Sequence, residues 1–317
     1  MAYSAGDAIL DDEYNTFVNS SSDPFGYNHF AGTGALNFGL NQSAISAVSA
    51  GDAIAASSWN ALFTGLDNIA NHTNVSITAS SVSAGDAIAI RSALVSDLAS
   101  LAAAVAGGST GATALTDRAA GASTNGATWN ANSTIERSIT FANNATMRAF
   151  FNAGGSIKID PSTSGSVDGS KDTVFEELTA AAGVISFKAH ATSKAGGGGE
   201  TQTSFATGNG FYDMGTSYTS INKITSDNSG YTSDTLEIFA KLNAAPASAT
   251  VITIKQVGLD PAGDGTFTSG NLSSVPVNPN ECPALVLTLV ANEPTDAQGL
   301  AAAIQFASNA EVSNSES

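Results

Sequence analysis

The amino-acid sequence predicts an α+β chain, in which an amino-terminal helical-repeat docking module precedes a mainly β, jelly-roll-like sandwich with short helical insertions. Three observations predict it. The hexapeptide Ser-Ala-Gly-Asp-Ala-Ile occurs three times, beginning at Ser4, Ser49 and Ser83, and an internal repeat marks a supersecondary unit that buries its apolar face against copies of itself. From about Trp129 the apolar residues change to alternation, as in Leu236, Ile238 and Ala240, which is the period of a half-buried strand. Between these regions, residues 106–128 are rich in Gly, Ala, Ser and Thr and read as a linker. The expected organisation is therefore a helical module over 1–105, a linker over 106–128, a β-sandwich over 129–310 and a polar tail over 311–317.

Within each repeat, the pairs Gly6-Asp7, Gly51-Asp52 and Gly85-Asp86 read as turns. Glycine supplies a positive φ there and aspartate a local hydrogen bond. Tyr14-Asn15 and Phe17-Val18 follow the first copy, and Trp59-Asn60 and Leu62-Phe63 follow the second at the same offsets. Asp12 and Ser57 precede these pairs and are expected as helix N-caps. The second helix then carries Trp59, Leu62, Phe63, Leu66 and Ile69 at helical spacing. The third copy loses the aromatic residue and leads into Leu94, Leu98 and Leu101. The candidate docking residues are Gly6, Asp7, Tyr14, Gly51, Asp52, Trp59, Gly85 and Asp86. Calcium-binding glycine-rich solenoids need tight tandem periods, and the uneven spacing here favours turn chemistry.

In the β region, strands are expected at 134–141, 156–160, 184–191, 235–242, 250–257 and 284–290. Short helices are expected at 145–152, ended by Gly154-Gly155, and at 171–181. The four glycines 196–199 read as a mobile loop.

Composition narrows the function. The chain has 317 residues, 11 Lys+Arg against 28 Asp+Glu, and a formal net charge of -17. No basic residue precedes Arg91 or follows Lys255, so neither nucleic-acid binding through phosphate contacts nor attraction to an anionic membrane is expected. Only 12% of residues are charged, about half the share usual in globular domains. The surface is then dominated by Ser, Thr, Asn, Gly and Ala, which suits packing against other proteins because little charge must be desolvated. The single cysteine, Cys282, reads as a small buried apolar side chain. Met1-Ala2-Tyr3 leads into neither a basic segment nor a long apolar run, so no signal peptide is expected. The apolar stretch 98–106 is too short to span a bilayer, and no membrane insertion is expected.

No catalytic, cofactor or metal set is expected. His29, His72 and His190 lie apart, with no carboxylate or thiol at metal-ligand spacing. Asp11-Asp12-Glu13 and Glu176-Glu177 fall in expected helical turns, where solvated acids are ordinary. Asp260-Pro261-Ala262-Gly263-Asp264-Gly265 resembles half of a calcium loop but lacks the glutamate that an EF-hand requires. Phe205, Phe211, Tyr212, Tyr218 and Tyr231 cluster in a Gly-rich stretch. Burial beside the strands is the first expectation for them, and Phe211, Tyr212 and Tyr218 are the candidate host-contact aromatics, since aromatic faces pack against pyranose rings. Arg148 is expected to fix the Gly154-Gly155 turn.

The segment with Met147-Arg148, Phe150-Phe151, Asn152 and Gly154-Gly155 leading into Ile159 resembles uncharacterised virion structural proteins, tail-fibre- or appendage-like, of tailed phages, especially marine phages and cyanophages. There an arginine and two aromatics precede an Asn-x-Gly-Gly turn into a strand. The segment from Gly208 through Phe211, Tyr212, Asp213 and Tyr218, followed by Tyr231, Leu236, Phe239 and Leu242, resembles the same proteins. So do the amino-terminal Ala-Gly-Asp turns leading to aromatic-Asn pairs. The resemblance implies a structural part of a virion, made in the host cytoplasm and acting by assembly rather than catalysis. Its expected partners are other virion proteins and copies of itself, as a trimer or ring. The alternative is a module of a phage fibre that binds host-surface glycan.

Overall fold

The computed structural model describes residues 11–31, 39–40, 42–52, 54–83, 91–106, 114–125, 129–165, 170–228, 231–261, 282–295 and 306–316. The chain is mixed α and β with mostly antiparallel sheets. It divides into two compact units. The first holds Met1–Thr116, Asn143–Gly155 and Glu293–Gln305; the second holds Asp117–Ala142, Ser156–Asn292 and Phe306–Ser317.

The first unit contains helices α1 (Asp11–Asn19), α2 (Tyr27–Ala31), α3 (Ala56–Thr73), α4 (Arg91–Ala106) and α5 (Asn144–Asn152). Tyr14, Phe17 and Val18 of α1 and Trp59, Leu62, Phe63, Leu66 and Ile69 of α3 are buried, which is the apolar stripe that drives such helices together. α2 is a short helix that periodicity does not reveal; it brings Tyr27 against α3, where a Cβ on Gly65 would lie 2.6 Å from the Tyr27 ring. The expected caps differ from what is observed. Ser57 lies inside α3, whose N-cap is Ala55 with no side-chain bond, and Asp12 lies in the first turn of α1. The start of α3 thus proceeds without a capping side chain, because burial of its apolar face stabilises it.

α5 has a side-chain cap: Asn143 accepts from the Thr146 N–H at 2.8 Å. Its end explains the Asn-x-Gly-Gly sequence. Gly154 takes φ +90°, and the N–H groups of Gly154 and Gly155 donate to the Phe151 and Phe150 carbonyls at 3.0 and 2.8 Å. A Cβ on Gly155 would sit 2.5 Å from the Phe150 ring. Backbone bonds thus close this turn at both glycines.

The second unit is built from β1 (Ala114–Thr124), β2 (Asn132–Phe141), β3 (Ser156–Ser164), β4 (Val184–Phe187), β5 (Thr192–Ala195), β6 (Thr201–Phe205), β7 (Thr219–Thr225), β8 (Thr235–Leu242), β9 (Val251–Leu259), β10 (Ala284–Thr295) and β11 (Phe306–Glu316), with helix α6 (Ser170–Ala182). One sheet has the order β1-β10-β3-β4-β5 and the other β11-β2-β9-β8-β7-β6. They face one another: a Cβ on Gly258 of β9 would approach Leu285 of β10 to 2.6 Å, and Asn309 of β11 donates to the Leu289 carbonyl of β10 at 2.9 Å. Arg137 of β2 binds Ser123 of β1 at 2.5 Å and the Asn309 side chain at 3.0 Å, so a buried guanidinium stitches the two layers. α6 packs on β3 of one sheet and on β7 and β8 of the other. It buries Val174, Phe175 and Leu178, with Phe175 edge-on to Trp129 at 4.7 Å.

The stretch read as a linker contains β1, and the stretch read as a polar tail belongs to β11. Both strands are rich in Ala, Ser, Thr and Asn, and most of their described side chains are exposed, so neither shows the alternation that announces a strand. The expected strand over 184–191 ends at Phe187. The four glycines 196–199 take φ values of 76, 86, 153 and 104°, conformations that L side chains rarely adopt.

Candidate functional site

The first unit is organised around side-chain amides. Asn15 of α1 donates to the Val48 carbonyl at 2.8 Å and accepts from the Val48 N–H at 2.9 Å. Asn60 of α3 repeats the arrangement on Val82, at 2.9 and 2.8 Å. Asn28 of α2 does the same to Ile45, with both bonds at 2.8 Å. An amide bound to both main-chain polar atoms of one residue offers an extended segment the pairing that a neighbouring strand would provide. Val48 and Val82 stand immediately before Ser49 and Ser83, the first residues of the second and third hexapeptides. Each clamp therefore holds the approach to the next copy.

The segment before the second hexapeptide is half-buried at Gln42, Ile45 and Val48 and exposed between them, a three-residue period like that of polyproline II. The segment before the third is held further by Asp97 of α4, whose carboxylate accepts from the Thr78 and Ala79 N–H groups at 2.9 and 2.8 Å. Asp97 is buried, and these two bonds offset part of its desolvation.

Of the candidate docking residues, Gly51 takes φ +88°, and Asp52 accepts from the Ser49 N–H through Oδ2 at 3.1 Å while its own N–H donates to the Ser49 carbonyl at 3.0 Å. This is a glycine turn closed by a local aspartate bond. Tyr14 and Trp59, at matching offsets in two copies, meet edge-on at 5.2 Å. The Tyr14 hydroxyl donates to the Ser58 carbonyl at 3.1 Å, and burial pushes the phenol pKa up. Gly6, Asp7, Gly85 and Asp86 lie outside the described residues. The sequence shows the aromatic-Asn pairs, but only the aromatic member is among the docking candidates; Tyr27-Asn28 is a further copy of the pair.

The candidate host-contact aromatics separate. Phe211 has 0% exposure and is removed from any surface contact: it opens a 3-10 turn, Phe211–Asp213, whose N–H groups at Phe211 and Tyr212 bond the Lys188 and Ala189 carbonyls. Tyr212 is half-exposed and stacks on His190 at 4.9 Å, with Asp213 Oδ2 3.9 Å from the His190 ring. Tyr218 is half-exposed just before β7. The Lys241 and Lys255 ammoniums each stand 4.1 Å from its ring centroid. Burial first, and then the Glu136 carboxylate, push its phenol pKa well up.

His29 stacks on Phe25 at 4.0 Å, with its pKa lowered by burial, and His72 is buried in α3. Cys282 is buried, with Sγ 3.7 Å from Asp260 Oδ2. Residues 262–265 of the half calcium loop lie outside the described residues. Among the described residues, no group of three or more His, Cys, Asp or Glu is placed to hold a metal. No described helix is long and apolar enough to cross a membrane.

Comparison of the chain with protein-family models, with curated proteins and with solved structures finds no match.

Proposed function

We propose that the chain is a structural component of a tailed-phage virion, a tail fibre or a neck or baseplate appendage, that acts by assembly rather than catalysis. The observation that carries the reading is the recurrent clamp: Asn15 on Val48 and Asn60 on Val82, each on the approach to a Ser-Ala-Gly-Asp-Ala-Ile copy. Hydrogen-bonding side chains are committed to holding the chain's own backbone. The segment resemblances and the charge-poor surface support the same reading.

In this reading the amino-terminal helices form a helical-repeat docking module toward other virion proteins and sister copies. The β unit is a jelly-roll-like sandwich, its chain crossing between sheets at β1–β2, β2–β3, β5–β6, β9–β10 and β10–β11 and departing from that scheme in the meanders β3–β5 and β6–β9. Closed symmetric assembly, as a trimer or ring, follows for such a part. Mass spectrometry and electron microscopy of purified particles test the proposal, with antibody labelling of the chain. Presence at one repeated position is the expected result, and absence from particles overturns it.

A second reading, host-surface glycan binding, is favoured by the half-exposed ring of Tyr212. It predicts saturable binding to host envelope glycans by the intact chain. That binding falls in Tyr212→Ala with folding unchanged.

A further inference from the structure

We propose that the outward face of β7, β8 and β9 binds a sparsely charged anionic polysaccharide, sulfated or carboxylated, through the ammoniums of Lys241 and Lys255. The inward side chains of β8 and β9, among them Leu236, Ile238, Ile252 and Ile254, are buried. The alternate residues Phe239, Lys241, Val251, Lys255 and Val257 are half-exposed, and Leu259 is 38% exposed. On this face two cations converge on one ring. Lys241 and Lys255 each place Nζ 4.1 Å from the Tyr218 centroid, and Lys255 also lies 4.7 Å from the Phe239 centroid.

A ring attracts an ammonium through its quadrupole without neutralising it. Among the described residues neither lysine makes an ion pair. Lys223 on β7 is different, since it pairs with Glu237 at 3.4 Å. Glu136 is the cross-strand partner of Lys255, and it leaves the cluster with a net positive charge. In a chain of net charge -17, two ammoniums held against one ring beside a single carboxylate, Glu136, are a local inversion of sign.

Three features choose the ligand. The Tyr218 ring already carries two of the protein's own cations, so recognition here falls to an anionic group rather than to ring stacking. The face is half-exposed along the strands, and Val251, Val257 and Leu259 extend it along β9 as apolar footing for sugar C–H groups. A nucleic acid, with a charge about every 3.4 Å along each strand, would meet the repulsion of the whole acidic chain. A polysaccharide with far sparser charge meets little of it at a screening length of about 8 Å.

The test is a titration of the full chain at about 0.15 M salt with four probes: a sulfated galactan oligosaccharide, an oligogalacturonate, a neutral galactan oligosaccharide and a single-stranded DNA oligonucleotide. Binding of a sulfated or carboxylated probe at least about tenfold tighter than the neutral one is expected. Lys241→Met and Lys255→Met should each weaken it by about tenfold, the scale of one lost charge-assisted bond. Lys158→Met, on the other sheet, should leave it unchanged. Lys241→Gln and Lys255→Gln serve if a methionine variant fails to fold. The two anionic arms separate sulfate from carboxylate recognition. The proposal is overturned if neither anionic probe binds, if the neutral probe binds equally, if the lysine variants bind as the parent does, or if DNA binds more tightly. These outcomes do not depend on the presence of the chain in a particle.

Discussion

Asn60 holds Val82 by both of its main-chain polar atoms, donating to the carbonyl at 2.9 Å and accepting from the N–H at 2.8 Å. Two part-buried bonds, each worth about 0.5–1.5 kcal/mol net, make Asn60→Ala destabilising by about 1–3 kcal/mol, and Asn15→Ala comparably so. Urea denaturation measures both. Asn60→Asp adds a sharper readout. Its ionised form turns an acceptor toward the Val82 carbonyl, whereas its protonated form restores a donor. The variant's folded-state pKa is therefore raised, its stability is greatest at low pH, and it falls as pH rises through that pKa.

Gly51 and Gly155 resist substitution for different reasons. Gly51 takes φ +88° with nothing within 4 Å of an added Cβ, so Gly51→Ala costs backbone strain of about 1–2 kcal/mol. Gly155→Ala drives a methyl toward the Phe150 ring, an overpacking cost of about 1–3 kcal/mol. Phe150→Leu should recover part of the second loss and none of the first, as read from melting temperatures of the double variants.

Tyr14 and Trp59 meet edge-on at 5.2 Å, and both are buried. Trp59→Ala should cost about 3–5 kcal/mol. A double-mutant cycle pairing Tyr14→Leu with Trp59→Leu should return a coupling of about 0.5–1.5 kcal/mol beyond area burial. Additive losses would mean that the two helices are not joined through this pair.

Glu200 accepts from the Asp227 N–H at 2.6 Å and from Asn228 Nδ2 at 2.9 Å. Its pKa is raised, first by burial, with the Asp227 and Glu177 carboxylates adding to the shift. The folded chain therefore binds this proton more tightly than the unfolded chain. The contribution is fully present below the unfolded glutamate value of about 4.3 and is lost as pH rises through the folded value. Melting temperature followed from acid to neutral pH should decline over that window in the parent and less in Glu200→Gln.

Much of the fold was legible where one face of an element is dry. β8 shows strict alternation, and α3 carries five apolar residues on one stripe; both lie where the pattern placed them. β1 and β11 were not legible, because strands exposed on both sides leave no apolar period to read. α2 has five residues, too few for a helical period to emerge. At the candidate site, the Gly-Asp turn follows from side-chain chemistry alone, and Gly51 with Asp52 shows both of its parts. The asparagine clamps escaped notice because their targets are backbone atoms, and nothing in the identity of Val48 or Val82 announces that they will be held. The Lys241 and Lys255 convergence escaped because it joins β8 and β9 to a residue ahead of β7.

Because each asparagine clamp grips its held segment by main-chain atoms alone, the side chains of that segment are free to diverge while the joint persists. Such a joint behaves as a standard coupling. A segment copied elsewhere in the gene, or borrowed from a related one, fits without redesign of the helix that receives it. The uneven intervals between the hexapeptides fit this arrangement: what lies between two couplings can differ in length while each coupling keeps its form.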